Sequence, residues 1–283
     1  MVLPGGIPYP EVPEGGFWGK GTSTIDWCEE NYVVSHYVAE AVNTVSNAVF
    51  IGLAFYAMYG VVKNQFERRF FIVALGFATV GIGSWMFHMT LLYEYQLLDE
   101  LPMIYATCVP FWNVFSYGKS RWGSLRVGLE IAAAAAILTA VYLHYGDPTI
   151  HQAGYAILNV IVISKSVSLT YKHVHDPVAR KHLNSTLVIG LTSFLSGYAL
   201  WNLDIHLCNT WRATRREIGI PYGFLLEGHG WWHLLTGTGV YFYIVYMEYQ
   251  RLFLIGREEG YEFKWTLWFP HLERRVDKVE KKD

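Results

Sequence analysis

Apolar residues along this chain gather into seven runs of about 20 residues, covering roughly 41–62, 70–92, 98–117, 126–145, 150–171, 184–205 and 229–250. At 1.5 Å of rise per residue, each is long enough as a helix to cross a hydrocarbon core of about 30 Å. The third and seventh runs are less purely apolar than the others. The pattern predicts an all-α membrane protein, a seven-transmembrane helix bundle occupying residues 41–250. It leaves an N-terminal segment over 1–40 and a charged tail over 251–283.

The polar breaks orient this bundle. Lys63, Arg68 and Arg69 stand between spans 1 and 2, Lys119, Arg121 and Arg126 between spans 3 and 4, and Lys172, Arg180 and Lys181 between spans 5 and 6. The alternate connections, 93–97 and 146–149, contain no Lys or Arg. Under the positive-inside rule the odd connections and the C-terminus are cytosolic and the N-terminus is luminal or external. Residues 1–40 hold six acids and one base and the tail from Arg251 holds eight bases, which agrees. Arg212, Arg215 and Arg216, in the sixth connection on the expected outer side, do not.

Composition supports the same reading. Of 283 residues, 52% are hydrophobic and 16% charged, which is too apolar for an ordinary soluble domain. The first residues lack the basic and apolar regions of a cleaved signal peptide, so the first span is expected to direct insertion itself. No Gly-rich phosphate loop and no basic-aromatic nucleic-acid face is present.

Ionisable groups at membrane depth mark candidate chemistry. His229 and His233, four apart in E-G-H-G-W-W-H-L-L, project from one helical face, a spacing that suits a shared Zn²⁺. His88, in G-S-W-M-F-H-M-T, is the candidate third ligand, and Asp99, in Q-L-L-D-E-L-P, supplies a carboxylate. With the orientation above, His88 near the outer end of span 2, Asp99 at the start of span 3 and His229 at the start of span 7 reach one membrane level. Ser84 stands one turn before His88 on the same face. It reads either as a packing residue beside Gly81 and Gly83 or as a hydroxyl donor to an oxyanion. No serine nucleophile elbow is present, so water activated by a metal is the better nucleophile.

Cys28 and Cys208 both fall on the outer side and can meet in an oxidising compartment, whereas Cys108 lies within span 3. The alternative is three buried thiols. The run Asp26-Trp27-Cys28-Glu29-Glu30-Asn31, followed by Glu40, concentrates hard oxygen donors ahead of span 1, where Ca²⁺ would find ligands. Their spacing is not that of an EF-hand, and a solvated acidic face is the plainer reading. Asp204 reads as a helix-end carboxylate. Lys165 reads as a snorkelling side chain. The tail from Arg274 to Asp283 reads as a mixed-charge helix or a disordered end, and Glu280 interrupts any dilysine-type retrieval signal.

Long stretches of this chain resemble the alkaline ceramidases, notably the type 3 branch and the fungal phytoceramidases. They are G-F-W-G-K-G-T-S-T-I-D-W-C-E-E-N-Y, A-E-A-V-N-T-V-S-N, G-S-W-M-F-H-M-T-L-L-Y-E-Y-Q-L-L-D-E-L-P-M-I-Y, W-N-L-D and H-G-W-W-H-L-L-T-G, spread from about 18 to 237. The resemblance implies a seven-helix membrane amidase that cleaves the N-acyl bond of ceramides in the endoplasmic reticulum and Golgi. It carries catalytic zinc onto His88, His229 and His233, acid/base work onto Asp99 and an assisting role onto Ser84. It also carries calcium onto Asp26, the Trp27 carbonyl, Glu29, Asn31 and Glu40, and a luminal disulfide onto Cys28 and Cys208. The partners implied are the bilayer and its ceramides; oligomeric state, sphingoid base and acyl chain are not legible. The rival readings are a zinc-containing seven-span receptor of the progestin and adiponectin type with the opposite orientation, a non-catalytic transporter or G-protein-coupled receptor, and a hydrolase of another lipid amide.

Overall fold

The computed structural model describes residues 2–275 and is mostly helical. In chain order the helices are α1 (Ala41–Ser46), α2 (Ala48–Asn64), α3 (Arg68–Thr90), α4 (Tyr93–Phe115), α5 (Arg121–Tyr145), α6 (Pro148–His173), α7 (Pro177–His206), α8 (Cys208–Ile218) and α9 (Gly228–Leu254). Their starts carry legible signals. Asp147 and Asp176 each precede a proline and accept hydrogen bonds from the first-turn amides of α6 and α7, and Ser120 does the same for α5.

Among the described residues, five segments are long and apolar enough to cross a membrane: Ala41–Asn64, Arg68–Thr90, Arg121–Tyr145, Pro148–His173 and Pro177–His206. Helices α4 and α9, at 23 and 27 residues, match the others in length but hold no such continuous apolar stretch, with Glu94, Asp99 and Glu100 on one and two histidines, Glu248 and Arg251 on the other. The difference follows from position. α9 is buried along most of its length, packed against α7, α2 and α3, so bundle neighbours rather than lipid surround it. On α2, α5, α6 and α7 the apolar side chains Val62, Ile137, Val160 and Val188 are all more than 60% exposed, the arrangement expected of helices facing hydrocarbon.

The main core lies between α2, α3, α7 and α9, where Phe70, Phe77, Leu183, Tyr241, Ile244 and Tyr246 are almost wholly buried. A smaller cluster, Ile104, Ala135, Leu158 and Val162, joins α4 to α5 and α6. The first span is broken at Asn47. There the N-T-V-S-N side chains turn back on the backbone, Thr44 Oγ1 to the Glu40 carbonyl, and Ser46 Oγ and Asn47 Nδ2 to the Asn43 carbonyl.

The expected all-α fold and charged tail both need amendment. Beyond α9 the chain forms an antiparallel hairpin, β1 (Tyr261–Thr266) and β2 (Phe269–Arg274), with Tyr261 opposite Arg274 and Thr266 opposite Phe269. Tyr261, Phe263 and Trp265 alternate with Glu262, Lys264 and Thr266, the period of a strand. The hairpin docks on the bundle. Asn64 Nδ2 donates to the Leu272 carbonyl at 2.8 Å, and the Tyr241 hydroxyl donates to the Pro270 carbonyl at 2.8 Å. The mixed-charge end read from the sequence lies, from residue 276, outside the described residues.

Candidate active site

His88 stands in the last turn of α3, and His229 and His233 in the first two turns of α9; all three are buried. One ring nitrogen from each lies within 4.8 Å of the others, so a single metal ion can take a ligand from all three. Two of the three rings are held from behind through their other nitrogen. His88 Nδ1 is hydrogen-bonded to Glu40 Oε2, and His233 Nδ1 lies 2.8 Å from Ser46 Oγ. The His229 ring stacks on Trp27 at 4.3 Å between centroids. His88 Nε2 and His229 Nδ1 are buried without any hydrogen-bond partner. Buried polar atoms are rarely left so, and orphaned imidazole nitrogens converging on one point fit a metal.

Ser84 Oγ is 3.5 Å from His233 Nε2, and the Ser84 hydroxyl faces the Asp99 carboxylate on α4. Gly83 makes this possible: a Cβ there would stand 2.1 Å from the Leu98 carbonyl oxygen, so only glycine lets the α4 backbone come this close to α3. Ser84 thus stands beside His233, and Asp99 reaches the cluster through Ser84.

Behind the histidines lies the acidic N-terminal segment. Both oxygens of the buried Glu29 accept hydrogen bonds, from the amides of Val42 at 2.7 Å and Asn43 at 2.8 Å, capping α1. Burial first, and then the neighbouring charge of Glu40, push the Glu29 carboxyl up to about 8 against the pull of those amides. Glu40 is also raised, chiefly by burial, with Asp26 adding like charge. Asn31 donates to Asp26 Oδ1 at 3.2 Å, and the Trp27 carbonyl accepts from Arg212. Glu40 Oε1 and Asn31 Oδ1 are buried with no donor. Uncompensated acids and unpaired oxygens in one place fit a hard cation.

Cys28 and Cys208 are joined by a disulfide, Cα atoms 5.4 Å apart, which sets aside the reading of three thiols; Cys108 is free. The three arginines that broke the charge pattern hold the same segment. Arg212 and Arg215 donate to the Cys28 carbonyl, Arg216 pairs with Glu30, and Arg215, fully buried, pairs with Glu227 just before α9. Asp204 Oδ1 accepts from the Gly228 amide and so caps α9, as a helix-end carboxylate.

Sequence reasoning missed Glu40 and Ser46 as partners of the histidines, and Arg215 as a buried anchor. The N-T-V-S-N run of polar residues at the start of an apolar span was a signal for the first two.

Residues 19–273 match the model of the Ceramidase family. The chain belongs to the alkaline ceramidase family. Alkaline ceramidase YPC1 of Saccharomyces cerevisiae is 46% identical over 279 residues, spanning 93% of this chain and 88% of that protein. Alkaline ceramidase 3 of Mus musculus is 36% identical over 262 residues, spanning 92% and 95%. Alkaline ceramidase of Arabidopsis thaliana is 28% identical over 228 residues, spanning 80% and 82%. This ceramidase is thus an enzyme of the amidohydrolase class rather than a receptor.

Proposed function

We propose that this ceramidase hydrolyses the N-acyl amide bond of a ceramide, giving a sphingoid base and a fatty acid, with zinc held by His88, His229 and His233. The observation that carries the reading is the convergence of three buried imidazoles, two with unpartnered nitrogens, beside Ser84 and Asp99. A donor set of nitrogens without a carboxylate suits Zn²⁺, with one position left for reaction. When bound, the ion supplies Lewis acidity, polarising a carbonyl and making water more acidic.

The chain's own groups do the remaining work. Asp99 takes a proton from the attacking water and delivers one to the leaving nitrogen. The Ser84 hydroxyl donates a hydrogen bond to the oxyanion that develops on the carbonyl oxygen, a contact worth roughly 10²–10³ in rate. Glu40 and Ser46 hold the rings of His88 and His233 in position. Asp26, the Trp27 carbonyl, Glu29, Asn31 and Glu40 hold calcium, which would fix the N-terminal segment over the zinc-bearing helices.

In this reading seven membrane spans form the catalytic domain over 41–250, with α4 and α9 crossing inside the bundle. Residues 1–40 are luminal, the C-terminal part is cytosolic, and the protein resides in the endoplasmic reticulum or Golgi. The Cys28–Cys208 disulfide favours an oxidising compartment for the N-terminal segment.

Purified protein assayed on ceramide, dihydroceramide and phytoceramide, with metal content measured alongside, tests the assignment. His233→Ala is expected to lose both zinc and activity. Asp99→Asn is expected to keep zinc and lose about 10²-fold or more in kcat. Full activity in either variant overturns the roles, and hydrolysis only of some other lipid amide overturns the substrate.

A further inference from the structure

At the end of the bundle opposite the histidines, a groove of about 750 Å³ opens between the C-terminal end of α4, the start of α5 and the ends of α3 and α9. Arg69 and His88 share α3, 19 residues apart, which separates the groove from the metal site by about 28 Å. Four cationic side chains line it: Arg69, Lys119, Arg121 and Arg251. Arg251 holds Glu67 through two hydrogen bonds, and Arg69 pairs with the same carboxylate at 3.2 Å. Among the described residues no carboxylate pairs with Lys119 or Arg121, so the groove keeps an excess of positive charge. Ser116 Oγ, also in its lining, is buried and has no hydrogen-bond partner.

The remaining lining combines the hydroxyls of Tyr117, Ser120 and Ser124 with an apolar part. Trp112, over which the Arg69 guanidinium stacks at 5.2 Å, borders the groove together with Leu125, Gly128 and Ile255. Beyond it α5 presents Trp122, 81% exposed, and Leu129, 63% exposed, the surface of a helix against lipid with an aromatic at its end. A soluble anion would use only the cationic half of such a groove. A ligand with a phosphate head and a hydrocarbon chain uses both halves.

We propose that this groove binds an anionic phospholipid of the adjacent leaflet, its phosphate held by Lys119, Arg121 and the Ser116 hydroxyl and its chain lying along α5. The site is separate from the hydrolytic one and stands whether or not the metal assignment does.

The test titrates dioleoyl phosphatidylglycerol into the detergent-solubilised full-length protein, followed by native mass spectrometry, with dioleoyl phosphatidylcholine and inorganic phosphate as parallel probes. Phosphatidylglycerol is expected to bind at least about tenfold more tightly than phosphatidylcholine, and the Lys119→Gln/Arg121→Gln variant to lose that preference. Arg126→Gln, which removes an exposed cation paired with Glu130 outside the groove, is expected to keep it. Lys119→Arg, preserving the charge, is expected to bind like the parent, which separates loss of charge from loss of fold. Undiminished preference in the double variant, or equal loss in Arg126→Gln, overturns the site. Millimolar phosphate that binds alone and displaces the lipid overturns the lipid as occupant.

Discussion

Glu40 holds the ring of His88 through one carboxylate oxygen and leaves the other buried without a donor, in the neighbourhood of Asp26 and Asn43. A single side chain therefore touches both the histidine cluster and the acidic segment. Gln at this position keeps the shape and an oxygen for His88 but removes the charge that makes the imidazole a better donor to a metal. Glu40→Gln is expected to weaken zinc binding about 10–100-fold, measured by competition with a chelator of known affinity, and to weaken calcium binding as well. Unchanged affinity for both ions would mean the contact is only structural. The pairing of His229 with His233 was legible from the sequence, because a four-residue spacing on one helix is a local property. The Glu40 contact was not, since 48 residues separate the partners and only the packing of α1 on α3 brings them together.

Among elements, the bundle is clamped at its far end by one connection. Glu67, the last residue before α3, accepts from Arg251 of α9 at 2.6 and 3.1 Å and pairs with Arg69. Burial raises its carboxyl, but the hydrogen bonds and charge of Arg251, with Arg69 behind, outweigh it and hold the group below its ordinary value. A carboxylate depressed in the fold adds stability above its unfolded value, about 4.3, and that contribution is lost as pH falls through the lower folded value. For this half-buried pair the gain is about 1 kcal/mol. Glu67→Gln should therefore melt below the parent at neutral pH and converge with it on acidification, in paired melting curves. A gap that stays constant down to low pH would refute the clamp. No hydropathy pattern announces such a contact, because both partners sit outside the apolar runs, Glu67 in a break and Arg251 just past the last one. The hairpin after α9 differs: its alternation over 261–266 is a local signal, but the interleaved Glu262 and Lys264 give the stretch the composition of a charged tail.

At the scale of the molecule, the histidine-bearing end of the bundle is closed by a strap. The disulfide joins residues 180 apart in sequence, and beside it Arg212, Arg215 and Arg216 bind the carbonyls and acids of the N-terminal segment. In the orientation proposed above, these are the cations that depart from the charge pattern. The three cations are engaged in structure, whereas the positive-inside rule weighs cations free to face the membrane surface. Composition and run length gave the bundle, but the strap depends on which acid each arginine meets, which distance along the chain conceals. Cross-linking two such distant points limits the unfolded chain, by about 2–4 kcal/mol where the native bond is unstrained. Cys28→Ser with Cys208→Ser is accordingly expected to lower the melting temperature of the purified enzyme, and a reductant should lower that of the parent to the same point. The arginine contacts remain in the double variant, so the segment should still dock and the zinc content should stay at the parental level. Melting that neither change shifts would show that the arginines alone secure the strap. Loss of zinc along with the disulfide would show instead that the covalent tie holds the histidine-bearing helices together.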